Sequence, residues 1–223
     1  MWLYKLIYYI CGPLIKLFWI RKISGRKNIP LKGGVIIAPN HQSFMDPFLL
    51  ASTMRKRMFH YLVGEFAYKT RFARWALKEF NYIKVDRFNP DKSAVYAKAK
   101  EILDAGKVLV VFPEGRLTKD GLTQKGFKGV AKMALASKVD IIPTVIKDSY
   151  RIYPIHRKTP KFLGRRCCEI KYLKRIEYKD FKNKDLEYIV HKMIMKEIAN
   201  ELGHEYNHTG FERDIKAKGS VAD

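Results

Sequence analysis

The chain has 223 residues, enough for one domain with a full core, and its 44 Lys and Arg against 22 Asp and Glu give a formal net charge of +22. That surplus seeks anionic partners: nucleic acid, an acidic lipid surface, or an acidic protein or substrate. No zinc-ligand spacing, recognition-module signature or basic repeat accompanies it, and the aromatics sit inside apolar runs, so nucleic acid is set aside for a membrane surface.

Residues 1–20 are strongly apolar and run straight into Arg21-Lys22. No small-residue cleavage site follows, which argues against a signal peptide. The uncharged run 6–15 is about half of what a spanning helix needs. Lys5, Tyr9, Gly12 and Lys16 recur at helical spacing. Residues 1–22 are therefore expected to lie flat in one leaflet as a membrane-associating helix, lysines reaching the headgroups, kinked or divided at Gly12-Pro13. The basic stretch 21–27 is expected to link it to a domain spanning 30–208. Cys11, Cys167 and Cys168 are too few for a disulfide scaffold and fit a reducing, cytosolic setting.

Residues 33–39, Gly-Gly-Val-Ile-Ile-Ala-Pro, read as a buried strand opened by glycines. Asn40-His41-Gln42-Ser43-Phe44-Met45-Asp46 follows, then a helix over 47–54 with Pro47 in its first turn and Asp46 as N-cap. Positions five apart do not share a helix face, so His41 belongs in the preceding loop. From there the carboxylate can accept one imidazole N–H and leave the other nitrogen as a base. Ser43 has no nucleophile elbow around it and reads as a turn residue.

A strand over 58–63, a helix over 66–78 and a strand over 82–85 come next, the last followed by Asp86-Arg87. A helix over 91–105 stops at Gly106, a C-cap glycine. The apolar strand 107–112 runs into Pro113-Glu114-Gly115-Arg116. A glycine allows close backbone approach, an arginine offers a planar fork for phosphate, and a glutamate can accept from hydroxyls; together they suit a phosphorylated polyol. A helix over 127–137, a strand over 140–146, a basic loop over 150–165, an alternating strand over 167–173 and an amphipathic helix over 183–202 complete the domain. The tail 209–223 is polar. Strands alternating with helices predict a single α/β domain with a largely parallel or mixed central sheet flanked by helices.

Asn40-His41 followed by four residues and Asp46, the strand ending in Asp86-Arg87, Phe112-Pro113-Glu114-Gly115, and the proline-bearing strand Ile141-Ile142-Pro143 together resemble the PlsC-type glycerolipid acyltransferase family, over roughly residues 30–175. Gly126-Phe127-Lys128-Gly129 matches a basic, glycine-rich helix start in these enzymes. One departure is that Arg116 follows Gly115 directly, where many members have an intervening threonine.

The resemblance implies a glycerol-3-phosphate acyltransferase-like fold and transfer of a fatty acyl group from a thioester, acyl-CoA or acyl carrier protein, to the free hydroxyl of lysophosphatidate. Another lysophospholipid or glycerol 3-phosphate as acceptor stays open, as does a non-catalytic lipid-binding role. It assigns catalysis to His41 and Asp46 and the acceptor to Glu114 and Gly115, with Arg87, Arg116 and Lys128 as phosphate candidates. No metal and no cofactor beyond the acyl donor is expected. The site of action would be the cytoplasmic face of the cell membrane.

Overall fold

The interior of the molecule is a seven-stranded sheet in the order β1-β7-β6-β2-β5-β3-β4. The computed structural model describes residues 7–53, 57–64, 82–86, 89–161 and 166–208. The strands are β1 (Ile20–Ser24), β2 (Val35–Pro39), β3 (Phe59–Gly64), β4 (Tyr82–Val85), β5 (Val108–Val110), β6 (Asp140–Lys147) and β7 (Cys168–Tyr172). Every neighbouring pair is parallel except β6 with β7.

Alternate side chains of the central strands feed two separate cores. Ile36, Leu109 and Ile141 face one layer, with helices α3 (Ser93–Asp104), α4 (Gly129–Ser137) and α6 (Lys196–Leu202). Ile37, Val110 and Ile142 face the other, with α1 (Gly12–Trp19) and α2 (Asp46–Thr53). A sheet covered on both faces needs unbroken apolar strands, which is why β2, β5 and β6 lack polar alternation. The short α5 (Tyr178–Phe181) and a π-helical segment, Tyr188–Met195, lead into α6.

Two expectations change. Residues 20–24, read as the end of a membrane segment and a basic linker, form the edge strand β1, parallel to β7. Ile20 is buried, while Arg21 pairs with Glu169 on the neighbouring strand. The partner lies almost 150 residues away, so nothing local reveals the strand, and its charges suit an edge. The sheet therefore starts at residue 20. The helix expected over 183–202 is π-helical in its first half, although Ile189, Val190, Ile194 and Ile198 are buried as its stripe requires.

The described part of the N-terminal segment is helical only from Ile7 to Trp19. A π-helical turn, Ile7–Cys11, passes into α1 at Gly12, with Pro13 in the first turn where its missing N–H costs nothing. Ile15 and Trp19 are buried against α2 and the sheet, while Ile10, Leu14, Leu17 and Phe18 remain exposed. Among the described residues no helix is long and apolar enough to cross a membrane. The helix expected over 66–78, residues 1–6 and the tail from 209 lie outside the described residues.

Gly34, just before β2, sits against the carbonyl at the end of α3. An added Cβ would fall 2.2 Å from the Leu103 oxygen and 3.0 Å from Val139 Cγ1. Because the first obstacle is backbone, Gly34→Ala is expected to destabilise by about 1–3 kcal/mol. Urea unfolding at neutral pH measures it, and an unchanged midpoint would contradict this packing.

Candidate active site

β2 and β5 lie side by side and parallel, paired from Val35 with Val108 to Ile37 with Val110. Their carboxyl ends therefore open at the same place. The chain leaves β2 toward β3 through α2 on one face, and leaves β5 toward β6 through α4 on the other. Such a divergence marks the topological switch point, beyond whose strand ends open α/β sheets place their ligands.

The turn after β2 carries His41. Its Nδ1 is 2.9 Å from Asp46 Oδ2, and the ring stacks on Phe112 with centroids 3.9 Å apart. The helix begins at Asp46 itself, and the carboxylate is not the N-cap expected: Oδ2 also accepts the backbone N–H groups of Gln42 and Ser43, each at 2.8 Å. A carboxylate turned back onto its own loop holds the imidazole with Nδ1–H donating, which leaves Nε2 as the basic nitrogen. Asp46 is fully buried, and its Oδ1 has no hydrogen-bond partner.

Residues around the turn hold it in place. Asn40 Nδ2 donates to the Ile146 carbonyl and Asn40 Oδ1 accepts the Ile146 N–H, at 2.9 and 2.8 Å. Ser43 Oγ donates to the Tyr153 carbonyl, which also accepts the Phe44 N–H. Gln42 Nε2 donates to the Gly121 carbonyl at 2.7 Å.

The loop after β5 meets the turn through Glu114, which is 1% exposed. Glu114 Oε1 accepts the His41 backbone N–H at 3.1 Å, and Oε2 accepts the Gln124 N–H and Nε2 at 3.2 and 3.3 Å. The glutamate expected to meet acceptor hydroxyls thus lies beneath the His41 turn with both oxygens engaged. Burial pushes its pKa up to about 8 against those stabilising donors, with repulsion from Asp46 as a smaller contribution.

Gly115 adopts a left-handed φ of +62°, and a Cβ there would come within 3.1 Å of the Phe127 ring. Arg116 is exposed, and its Nε donates to Gln124 Oε1 at 3.0 Å. Gln124 therefore links Glu114 to Arg116. Nothing local marked it, because both partners are reached only after the loop folds back.

Lys128 stands at the start of α4 and pairs with Glu187 at 2.7 Å, so its ammonium is engaged by the C-terminal segment. Arg87 lies outside the described residues. Two histidines outside these motifs fasten the 121–128 loop. His204 Nδ1 is 2.9 Å from Thr123 Oγ1, and His191 Nδ1 is 2.7 Å from Tyr206 Oη, which accepts the Gly126 N–H. Among the described residues no group of His, Cys, Asp and Glu could hold a metal ion.

The family model described as Acyltransferase matches residues 20–147. A 1-acyl-sn-glycerol-3-phosphate acyltransferase of Borreliella burgdorferi is 30% identical over 132 residues, covering 59% of this chain and 52% of that protein. A chloroplastic protein of the same name from Arabidopsis thaliana is 27% identical over 139 residues, covering 61% of this chain and 38% of its own. The chain thus spans about half, or less, of the length of these relatives. The crystal structure of the 1-acyl-sn-glycerophosphate acyltransferase PlsC from Thermotoga maritima superposes with a TM-score of 0.71 at 24% identity, covering 92% of this chain and 82% of that one. At that identity the likeness establishes the fold.

Glu114 makes stability depend on pH. In the unfolded chain it loses its proton near the ordinary carboxylic value of 4.5, and in the fold at about 8. Its stabilising contribution is full below the lower value and is lost as pH rises through the upper one. Glu114→Gln, neutral throughout, should remove that loss. Urea unfolding at about pH 5 and about pH 8 should show the variant gaining on the wild type at the higher pH. Parallel behaviour would mean Glu114 is ionised in the fold.

Proposed function

The chain belongs to the acyltransferase family, and on that premise we propose that it transfers a fatty acyl group from an acyl thioester to the free hydroxyl of lysophosphatidate, making phosphatidate for phospholipid synthesis. The observation that carries the reading is the His41–Asp46 pair held over Glu114 at the shared ends of β2 and β5. A lipid-binding protein has no need of a buried carboxylate that fixes an imidazole tautomer. The named relatives above support lysophosphatidate as acceptor.

His41 Nε2 takes the proton from the acceptor hydroxyl as its oxygen attacks the thioester carbonyl carbon. Asp46 stabilises the imidazolium that results. The carbon–sulfur bond then breaks, and the imidazolium returns its proton to the departing thiolate. The acceptor hydroxyl occupies the place of a hydrolase serine, so no acyl-enzyme forms. Glu114 acts through the backbone of His41 and through Gln124. Gly115 lets the acceptor approach the loop backbone, and Arg116, aimed by Gln124, takes the phosphate, with Arg87 and Lys128 as further candidates. The donor is acyl-CoA or acyl carrier protein. The exposed apolar residues of α1 rest in one leaflet on the cytoplasmic face of the cell membrane, keeping the site where lysophospholipid headgroups emerge.

Mass spectrometry of products from a panel of acceptors with both donors tests the reaction, and absence of phosphatidate with every donor would refute it. His41→Ala should lower kcat by on the order of 10²–10⁴ or more with the fold intact. Wild-type turnover in that variant would end the mechanism. Asp46→Asn keeps an oxygen for all three donors but loses the charge. It should cost comparable rate with little change in melting, and a large loss of stability would show the carboxylate to be structural.

Arg116→Ala should raise the acceptor KM more than the donor KM, by about 10- to 150-fold for a lost charge-assisted bond of roughly 1.5–3 kcal/mol. Lys128→Ala, already committed to Glu187, should matter less. Initial-rate kinetics with each substrate varied decide this, and equal effects on both KM values would shift the phosphate to Arg87 or Lys128.

A further inference from the structure

The segment 149–168 contains six Lys and Arg and no Asp or Glu. Its described part is a built turn. The Arg157 N–H donates to the Pro154 carbonyl, the Lys161 N–H to the Ile152 carbonyl, and Tyr153 Oη to the Lys158 carbonyl at 2.9 Å. At the tip Ile155 is 46% exposed, and His156, Arg157, Lys158 and Lys161 are exposed beside it. No ion pair engages Arg157, Lys158 or Lys161 among the described residues.

This turn is fixed at both ends to parts already described. At one end the Tyr153 carbonyl holds Ser43 and Phe44 of the His41 turn, and the rings of Phe44 and Tyr153 lie 5.2 Å apart. At the other, Trp19 Nε1 donates to the Lys161 carbonyl at 3.0 Å, tying the turn to the last residue of α1. Phe18, next to Trp19, belongs to the exposed apolar stripe of that helix. An aliphatic tip with unpaired cations beside it, tied through Lys161 and Trp19 to a helix that carries an exposed apolar stripe, matches a surface with hydrocarbon inside and negative charge at its rim. An acidic protein would satisfy the cations but would leave the stripe beside them in water.

We propose that residues 154–161 are a second membrane-contact element, inserting Ile155 among acyl chains and binding anionic lipid headgroups through Arg157, Lys158 and Lys161. It rests on the one-leaflet attachment proposed above and adds lipid selectivity to it. With α1 it gives two touchdown points, and the direct link through Tyr153 sets the His41 turn at a fixed height above the lipid.

The test measures binding of the full-length chain to vesicles of phosphatidylcholine alone and of equal parts phosphatidylcholine and phosphatidylglycerol. Arg157→Gln/Lys158→Gln should weaken binding to the anionic vesicles by roughly 25-fold, about fivefold per charge, and leave the neutral vesicles nearly unaffected. Ile155→Ser should weaken both. Turnover of a water-soluble short-chain acceptor should match wild type in all variants, which also reports that they fold. Wild-type binding that these variants do not alter would overturn this element while leaving α1 as the anchor. Unaltered vesicle binding with a raised KM for an acyl carrier protein donor would overturn it in favour of a protein-docking surface. Failure of the wild type to bind either vesicle would overturn the attachment itself.

Discussion

The parallel pairing of β2 with β5 is the constraint from which the site follows. Parallel strands end on the same edge, so a register of Val35 with Val108 brings two loops together that are about seventy residues apart in the chain. Had β5 paired antiparallel, Glu114 would lie at the opposite end of the sheet from His41. The divergence of α2 and α4 to opposite faces then keeps the space above those ends open.

Beneath that space Glu114 is buried at an electrostatic cost. A carboxyl at 1% exposure surrenders its water and recovers only donors from His41 and Gln124. The surrounding structure holds it regardless, because its neighbours are secured elsewhere: Asn40 on β6, Gln42 on Gly121, and the 121–128 loop on His204 and Tyr206. Residues beyond 147, where the family match ends, thus hold the loops of the site in place. The C-terminal helix packs the sheet and also braces the loop that carries Gln124.

Much of this was legible in the sequence because it is local. Val35 to Ala38 and Val108 to Val111 are apolar runs too short for helices, and the spacing of His41 and Asp46 suits a loop-to-helix turn. The strand β1 was not legible, since Ile-Arg-Lys-Ile-Ser becomes a strand only beside Cys168 to Tyr172. The reversal of β7 leaves no mark in its own alternation, which reads alike in either direction. Gln124, His191 and His204 escaped for a related reason. Hydrogen bonds across 10 to 81 residues, such as Gln124 to Glu114 and His204 to Thr123, have no periodicity to detect.

Asn40 shows why the turn opens with that residue type. Beyond Pro39 the main chain of β2 must leave the sheet to present His41, yet the facing N–H and carbonyl of Ile146 remain buried and need partners. A side-chain carboxamide is a peptide group on a tether, and it caps both at once. Aspartate would offer no donor to the carbonyl, leucine neither donor nor acceptor, and glutamine an extra methylene that pushes the amide past its mate. The sheet therefore runs one rung longer in its side chains than in its backbone, and that borrowed rung frees the next residue from the ladder.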